Sequence, residues 1–356
     1  MRNRDRAFGA YMGAAIGDAM GGPIEVNHYA RIKRLVGEIK GLLPYKKPYT
    51  LVDLQPGYAL HADAGSVTDD TFIRADLTRF YLAIQPPRTP AMLAEWLLEN
   101  ANFPQWHPTM MEPLHRIEQG KVAAEEAGPT SIQGGGVGWW TPVGILHAGD
   151  PAGAVAEVKN LSRIWKAPLE QDLVAATQAG VAEGMREDAT VGSVVDAMLQ
   201  VCGLLPRQLL ERGIEIAEQS NDVWNLAESL YQNVLMAEFD LRGTEEPPRE
   251  IDAPLPPIRK PLDYSDQLYS STFLAEQIPL AIAAFVFGKG DPRTAIPCAC
   301  MIGRDADTTA TTVGSWVGAL HGELGLPKEW VKVVCEVNLK EIDIRDLAEK
   351  LFLLPA

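Results

Sequence analysis

Seven glycines on two helical stripes constrain this chain more than any other feature. Gly9, Gly13, Gly17 and Gly21 recur every four residues through RAFGAYMGAAIGDAMGG, and Gly314, Gly318 and Gly322 do the same through TTVGSWVGALHG. A glycine inside a helix costs about 1 kcal/mol relative to alanine, so stripes of them require a compensating gain. Residues four apart share one helix face, and a face without side chains lets a second backbone come close. The stripes predict two helices packed at the centre of the fold. Such a pair is either a crowded core with no further consequence or the frame of a site. In the second case Asp18 and Glu25 fall near Asp305 and Asp307.

Two short acidic motifs adjoin these stripes in sequence or in chemistry. One is Ser66-Val67-Thr68-Asp69-Asp70-Thr71 and the other is Gly303-Arg304-Asp305-Ala306-Asp307-Thr308-Thr309. Each opens a long apolar-periodic stretch that reads as a helix. Asp and Thr are favoured at helix N-termini, where they accept hydrogen bonds from free backbone N–H groups. A cap needs one acceptor, however, and each motif offers three. The surplus charge repels itself unless a cation neutralises it. Taken together, the motifs predict an all-oxygen cage of four carboxylates suited to hard cations, Mg²⁺ or Mn²⁺, and to two ions better than one.

GAYMGAAIGDAMGGPIE, SVTDDT and MIGRDADTTATTVGSWVGALHG, in this order, resemble the ADP-ribosylglycohydrolase family, over residues 6 to 325. The resemblance implies an all-α fold around a binuclear magnesium site that hydrolyses the bond at C1 of a ribose. Carried over by position, it implies Thr68, Asp69, Asp70, Asp305, Asp307 and Thr308 as metal ligands. Glu25, which closes the PIE segment, resembles the family's mobile acidic residue beside the metals and the scissile bond. Glu25, Asp69 and Asp305 are the residues expected to carry catalysis.

The middle of the chain departs from the family pattern. Where many members carry a Gly-Asn-Gly-Ala-x-Met-Arg-like loop for a diphosphate, this chain has Gly134-Gly135-Gly136-Val137-Gly138-Trp139-Trp140-Thr141-Pro142. A Leu-Thr-His-like segment appears as Leu161-Ser162-Arg163, and the usual Gly-Gly-Asp is Gly303-Arg304-Asp305. The glycine run lacks the preceding strand and following acidic residue of a dinucleotide fingerprint. Gly135 and Gly136 can still offer backbone N–H groups to an anion. Trp139 and Trp140 are read either as a stacking face for a flat aglycone or as core. Arg304 is read either as a substrate contact or as a buried ion-pair partner of the metal carboxylates, and so is Arg163.

The chain has 356 residues, 46% of them hydrophobic and 22% charged, enough to bury a substantial core. A formal charge of −15 argues against nucleic acid, whose partners show a basic face. Cys202, Cys298, Cys300 and Cys335 show no zinc-site spacing, so reduced thiols are expected. Asp18 and the glycines exclude a signal-peptide reading of the first helix. The most apolar later run, Phe273 to Gly288, contains Glu276, Gln277 and Pro279 and is too short to span a bilayer. A cytoplasmic protein with no membrane association is expected.

Helix signals dominate elsewhere. Thr89-Pro90, Asp150-Pro151 and Asp291-Pro292 each place a capping residue ahead of a proline at the first helical position. Apolar spacing of three and four predicts about twelve helices and almost no strand, in a single domain over residues 1–356. Three segments break the pattern, 37–66, 128–144 and the proline-rich 243–268, which is either a surface excursion or a lid.

The expected activity is metal-dependent hydrolysis at C1 of a ribose, either removing ADP-ribose from a protein or small molecule or cleaving a simpler N-ribosyl (nucleoside-like) substrate, the latter slightly favoured. Loss of the aglycone leaves oxocarbenium character on the ribose, and water must reach the vacated face. The family also resembles some lens crystallins, and an intact Thr-Asp-Asp and Asp-x-Asp-Thr set argues against such a non-catalytic role.

Overall fold

A computed structural model describes residues 3–128, 137–241 and 273–355. Sixteen α-helices occur among them, joined by short 3₁₀ turns. In chain order they are α1 (Arg4–Gly21), α2 (Tyr29–Leu35), α3 (Asp69–Ala83), α4 (Pro90–Asn100), α5 (Pro108–Glu118), α6 (Thr141–Leu146), α7 (Pro151–Leu161) and α8 (Pro168–Gly184). Then follow α9 (Val191–Gln200), α10 (Leu204–Gln219), α11 (Val223–Leu241), α12 (Phe273–Phe287), α13 (Pro292–Ile302), α14 (Ala306–Gly325), α15 (Lys328–Asn338) and α16 (Ile344–Leu353). Among the described residues there is no strand, only isolated bridges such as His28 with Gly303. The proline-rich segment 243–268 lies outside the described residues.

The all-α expectation holds, with four more helices than apolar spacing indicates. Tyr29–Leu35 and Thr141–Leu146 have 7 and 6 residues, too few to display a period. Pro108–Glu118 carries Pro113 in its interior, which reads as a breaker. Ile344–Leu353 does carry a stripe, burying Ile344, Leu347, Ala348 and Leu351. Thr89 and Asp150 cap their helices by accepting from Met92 N and Gly153 N. Asp291 makes no such bond, and its carboxylate accepts from the Thr294 hydroxyl instead.

The centre of the molecule is the pair α1 and α14, the most extensive helix contact in the fold. Their glycine stripes face each other with the chains antiparallel. A Cβ on Gly13 would overlap the Gly314 carbonyl, one on Gly17 the Ala310 carbonyl, and one on Gly21 the Ala306 carbonyl. Gly9 likewise sits against Gly318 and Gly322. The backbones touch because the α1 face carries only glycine and the α14 face nothing larger than alanine. Both helices are buried along nearly their whole length, with α3, α8, α12, α13 and α16 packed around them. The antiparallel register brings the C-terminal end of α1 to the N-terminal end of α14, where the second acidic motif begins. Among the described residues no helix is long and apolar enough to cross a membrane.

Candidate active site

Three helix ends meet at the acidic motifs, and the capping bonds show what the carboxylates are left to do. Thr68 is the N-cap of α3, yet its side chain accepts no bond from that helix. The cap comes from α1. Asp18, fully buried, accepts from Thr68 N at 3.0 Å and Thr71 N at 3.1 Å, and from the hydroxyls of Thr68 and Thr71. Asp305 is the N-cap of α14 and also makes no side-chain capping bond. Its carboxylate accepts from the Gln277 amide on α12. Helix capping therefore does not consume the carboxylates of Asp69, Asp70, Asp305 or Asp307.

The two motifs interlock. Thr308 Oγ1 donates to Asp70 Oδ2 at 2.6 Å, and Thr68 Oγ1 lies 3.0 Å from Asp307 Oδ2. Each threonine thus reaches an aspartate of the other motif. Asp70, Asp307, Thr68 and Thr308 are buried, whereas Glu25, Asp69 and Asp305 keep part of their surface. One carboxylate oxygen each from Glu25, Asp305 and Asp307 lies within 4.8 Å of the others.

Glu25 is delivered by the 3₁₀ turn Gly22–Ile24 that follows α1. The segment after it is stitched to the second motif. Val26 N donates to the Arg304 carbonyl at 2.7 Å, and Arg304 N donates to the Asn27 carbonyl at 2.8 Å. Asn27 Nδ2 donates to the carbonyls of Ile24 and Tyr49, both at 2.9 Å. Gly303, Arg304 and Val26 have φ of 81°, 65° and 58°. A β-branched residue with positive φ is a strained exception. Here it sits next to the carboxylate that reaches into the cluster.

Burial and mutual repulsion push Asp70, Glu25, Asp69 and Asp307 upward. Asp70 is pushed up to about 7 by burial, then by Asp18 and Asp305, against the Thr308 hydrogen bond and the Arg74 charge. Glu25 is held well above the ordinary carboxylate range by burial, Asp305, Asp70 and Asp18. Asp69 and Asp307 are raised in the same way, by burial first and by neighbouring carboxylates after it. Arg74 is fully buried and donates to Thr71 Oγ1 at 2.7 Å, behind Asp18. Asp307 Oδ1 is buried without a hydrogen-bond partner. A hard cation fits this donor set, because it satisfies that orphaned oxygen and removes the repulsion that raises its neighbours.

The residues assigned to substrate fare differently. Gly135 and Gly136 lie outside the described residues. Trp139 and Trp140 are 2% and 1% exposed, so the stacking-face expectation is corrected: both belong to the core. Trp139 packs on Trp106 and Trp165 at centroid distances of 5.8 and 5.1 Å, and Trp140 on Trp165 at 6.1 Å. The small residue before them approaches the cluster: a Cβ on Gly138 would stand 3.5 Å from Asp70 Oδ1. Arg304 is corrected too, since both sides of its guanidinium engage Glu276, which is 2% exposed, with Nη2 to Oε2 at 2.7 Å. Arg163 donates to the Glu125 carbonyl at 3.0 Å.

Several participants were not assigned from sequence. Glu276 and Gln277 orient Arg304 and Asp305 from α12. Their signal was two adjacent polar residues in an otherwise apolar helix, which must find buried partners. Tyr45 is buried beside the cluster, and its phenol is pushed well above its ordinary range by burial, then by Asp18, Asp307, Glu25 and Asp69. Nothing in its local sequence marks it.

The fold is helical, built on a central glycine-faced pair with two interlocked acidic helix starts. The chain matches the ADP-ribosylglycohydrolase family over residues 1–356 and belongs to that family. It is 27% identical over 329 residues to the uncharacterized protein YegU of Escherichia coli strain K12, covering 89% of this chain and 88% of the other. Over a shorter stretch of 87 residues it is 36% identical to the ADP-ribosylarginine hydrolase Tri1 of Pseudomonas putida strain GB-1, covering 24% and 22% of the two chains. A solved structure titled ADP-ribosylglycohydrolase-related protein complex shares the fold at a TM-score of 0.56 and 17% identity, over 98% of this chain and 97% of its own.

Proposed function

We propose that this protein is a metal-dependent glycoside hydrolase that cleaves the bond at C1 of a ribose, acting as one domain over residues 1–356 in the cytoplasm. The observation that carries the reading is the interlocked set of Thr68, Asp69, Asp70, Asp305, Asp307 and Thr308, whose carboxylates are not consumed by helix capping. These six residues would hold two Mg²⁺ ions, with Mn²⁺ as a substitute. Bound there, the ions supply positive charge that allows all the carboxylates to ionise, and Lewis acidity toward hydroxyl groups and water.

The chain's own groups supply the rest. Glu25 stands beside Asp305 and Asp307 with part of its surface open, and it accepts the proton of the attacking water as C1 gains oxocarbenium character. The backbone bonds of Val26 and Arg304 fix where that carboxylate can reach. Asp18 holds Thr68 and Thr71, and through them the start of α3. Gln277 orients Asp305.

The aglycone is read as neutral or weakly charged, an N-riboside in preference to an ADP-ribosyl protein. Arg304 is neutralised by Glu276, Arg163 is turned to a backbone carbonyl, and the cluster itself is acidic, so the described residues offer little to a diphosphate. Trp139 and Trp140, buried in the core, offer no stacking face to an aglycone. The likeness to an ADP-ribosylarginine hydrolase supports the ADP-ribosyl alternative. The test compares catalytic efficiency on nucleosides and on ADP-ribosylated arginine peptides at saturating Mg²⁺. Faster turnover of a nucleoside is expected. Release of ADP-ribose with no nucleoside cleavage overturns the preference, and no hydrolysis of either overturns the enzyme reading.

A further inference from the structure

We infer that Tyr45 is a ligand-positioning group of this site, whose hydroxyl donates a hydrogen bond to a sugar hydroxyl seated at the acidic cluster. The inference rests on the ribosyl reading above and adds to it a residue from outside both motifs.

Tyr45 lies in the irregular segment between α2 and α3, and that segment is locally fixed. Tyr45 N donates to the Ala62 carbonyl at 2.9 Å, the Tyr49 hydroxyl donates to the Pro44 carbonyl at 2.6 Å, and Lys46 N donates to Thr50 Oγ1 at 2.8 Å. The ring is 7% exposed, and its oxygen is buried with no hydrogen-bond partner. Gly22 makes room for it. A Cβ there would overlap the phenol oxygen and stand 2.7 Å from Thr68 Cγ2. The oxygen therefore occupies the gap between the end of α1 and the start of α3, beside the threonine that reaches Asp307.

A buried O–H without an acceptor is costly, and such groups in folded proteins have partners. Here a buried donor, Tyr45 O–H, and a buried acceptor, Asp307 Oδ1, are both orphaned and do not pair with each other. A bare cation satisfies the carboxylate and leaves the phenol unmatched. A hydroxyl-bearing ligand supplies the oxygen that the phenol requires. A sugar seated at the cluster would supply such an oxygen to the phenol.

The experiment is Tyr45→Phe, which keeps the ring and removes only the hydroxyl. Three readouts are taken on the full chain: melting temperature in chelator, the shift in melting temperature with Mn²⁺, and calorimetric affinity for ADP-ribose in saturating Mn²⁺. The expected result is an unchanged or higher melting temperature in chelator, because no hydrogen bond of the protein is lost. The Mn²⁺ shift is retained, and ADP-ribose affinity falls about three- to tenfold, the size of one neutral hydrogen bond. A variant that binds ADP-ribose as tightly as wild type overturns the inference and leaves the ribosyl reading intact. A variant that melts lower in chelator shows a packing role and overturns it as well. Wild-type protein that binds neither ADP-ribose nor free ribose with Mn²⁺ present removes the ribosyl reading on which the inference rests.

Discussion

Thr308 donates its hydroxyl hydrogen to Asp70 Oδ2 at 2.6 Å, joining positions 238 residues apart in the chain. With the converse contact from Thr68 to Asp307, it makes the two acidic motifs one structural unit. Neither motif can present its carboxylates correctly without the other.

Asp69→Ala and Asp305→Ala are expected to abolish both hydrolysis and the rise in melting temperature produced by Mg²⁺ or Mn²⁺, with helical circular dichroism preserved. In chelator Asp69→Ala should melt no lower than wild type, since a repelling charge has been removed, whereas Asp305→Ala also leaves the buried Gln277 amide without its acceptor and should melt lower than Asp69→Ala. Full activity of the wild-type protein in chelator, or wild-type turnover by either variant, rules out the metal site.

Glu25→Gln separates proton transfer from ion binding. The expected loss in kcat is about 10²–10⁴-fold, the usual range for a general acid or base, with the metal-induced thermal shift largely kept. A loss below about threefold returns Glu25 to a structural role at the end of α1.

Without metal, stability should fall as pH rises. Asp70 titrates near 7 in the native protein, above the Asp value of about 3.9 in an unfolded chain. Between these values the native state binds more protons than the unfolded state, so raising the pH favours unfolding. Glu25, Asp69 and Asp307, raised in the same sense, extend the loss upward. Glu157 acts oppositely, being held low chiefly by its hydrogen bond to His147 against the burial that raises it. Its stabilisation is lost only as pH falls through its own depressed value, below this window. Urea titrations in chelator across the acid-to-neutral range should show the decline, and the Mg²⁺-induced shift should grow over the same range because ligands must be ionised. A flat profile in chelator contradicts the crowded cluster.

Gly13→Ala tests the helix pair. The added methyl meets the Gly314 backbone, which has no side chain to move aside. Overpacking of this kind costs about 1–3 kcal/mol, more than the roughly 1 kcal/mol gained in helix propensity. Gly192→Ala in α9 meets only Thr190 Oγ1 at 3.7 Å and should be neutral or stabilising. Equal effects of the two substitutions on urea midpoints would remove the close-approach explanation.

The parts of this molecule legible in the sequence are those written in local patterns. The two glycine stripes foretold the α1–α14 contact because a four-residue period maps directly onto one helix face. The acidic motifs stood out because their carboxylates outnumber what a helix start can use. What stayed hidden depends on distant chain. Nothing around Asp18 says that it caps α3, because its partners Thr68 and Thr71 lie on another element. Nothing around Arg304 says that Glu276 will claim it. Trp139 and Trp140 follow a glycine run that suggests a binding loop, yet the site contact belongs to Gly138 and the indoles turn to Trp106 and Trp165. Helices as short as α2 and α6 carry too few residues for any period.

The antiparallel pairing of α1 with α14 also governs when the protein can come into being. During synthesis the bare face from Gly9 to Gly21 leaves the ribosome some three hundred residues ahead of its partner face. Until then the glycine face of the first helix lacks its partner, and the first acidic motif lacks the second. Activity is therefore a property of the late chain, and a nascent fragment ending before α14 holds neither the central pair nor a cluster able to act.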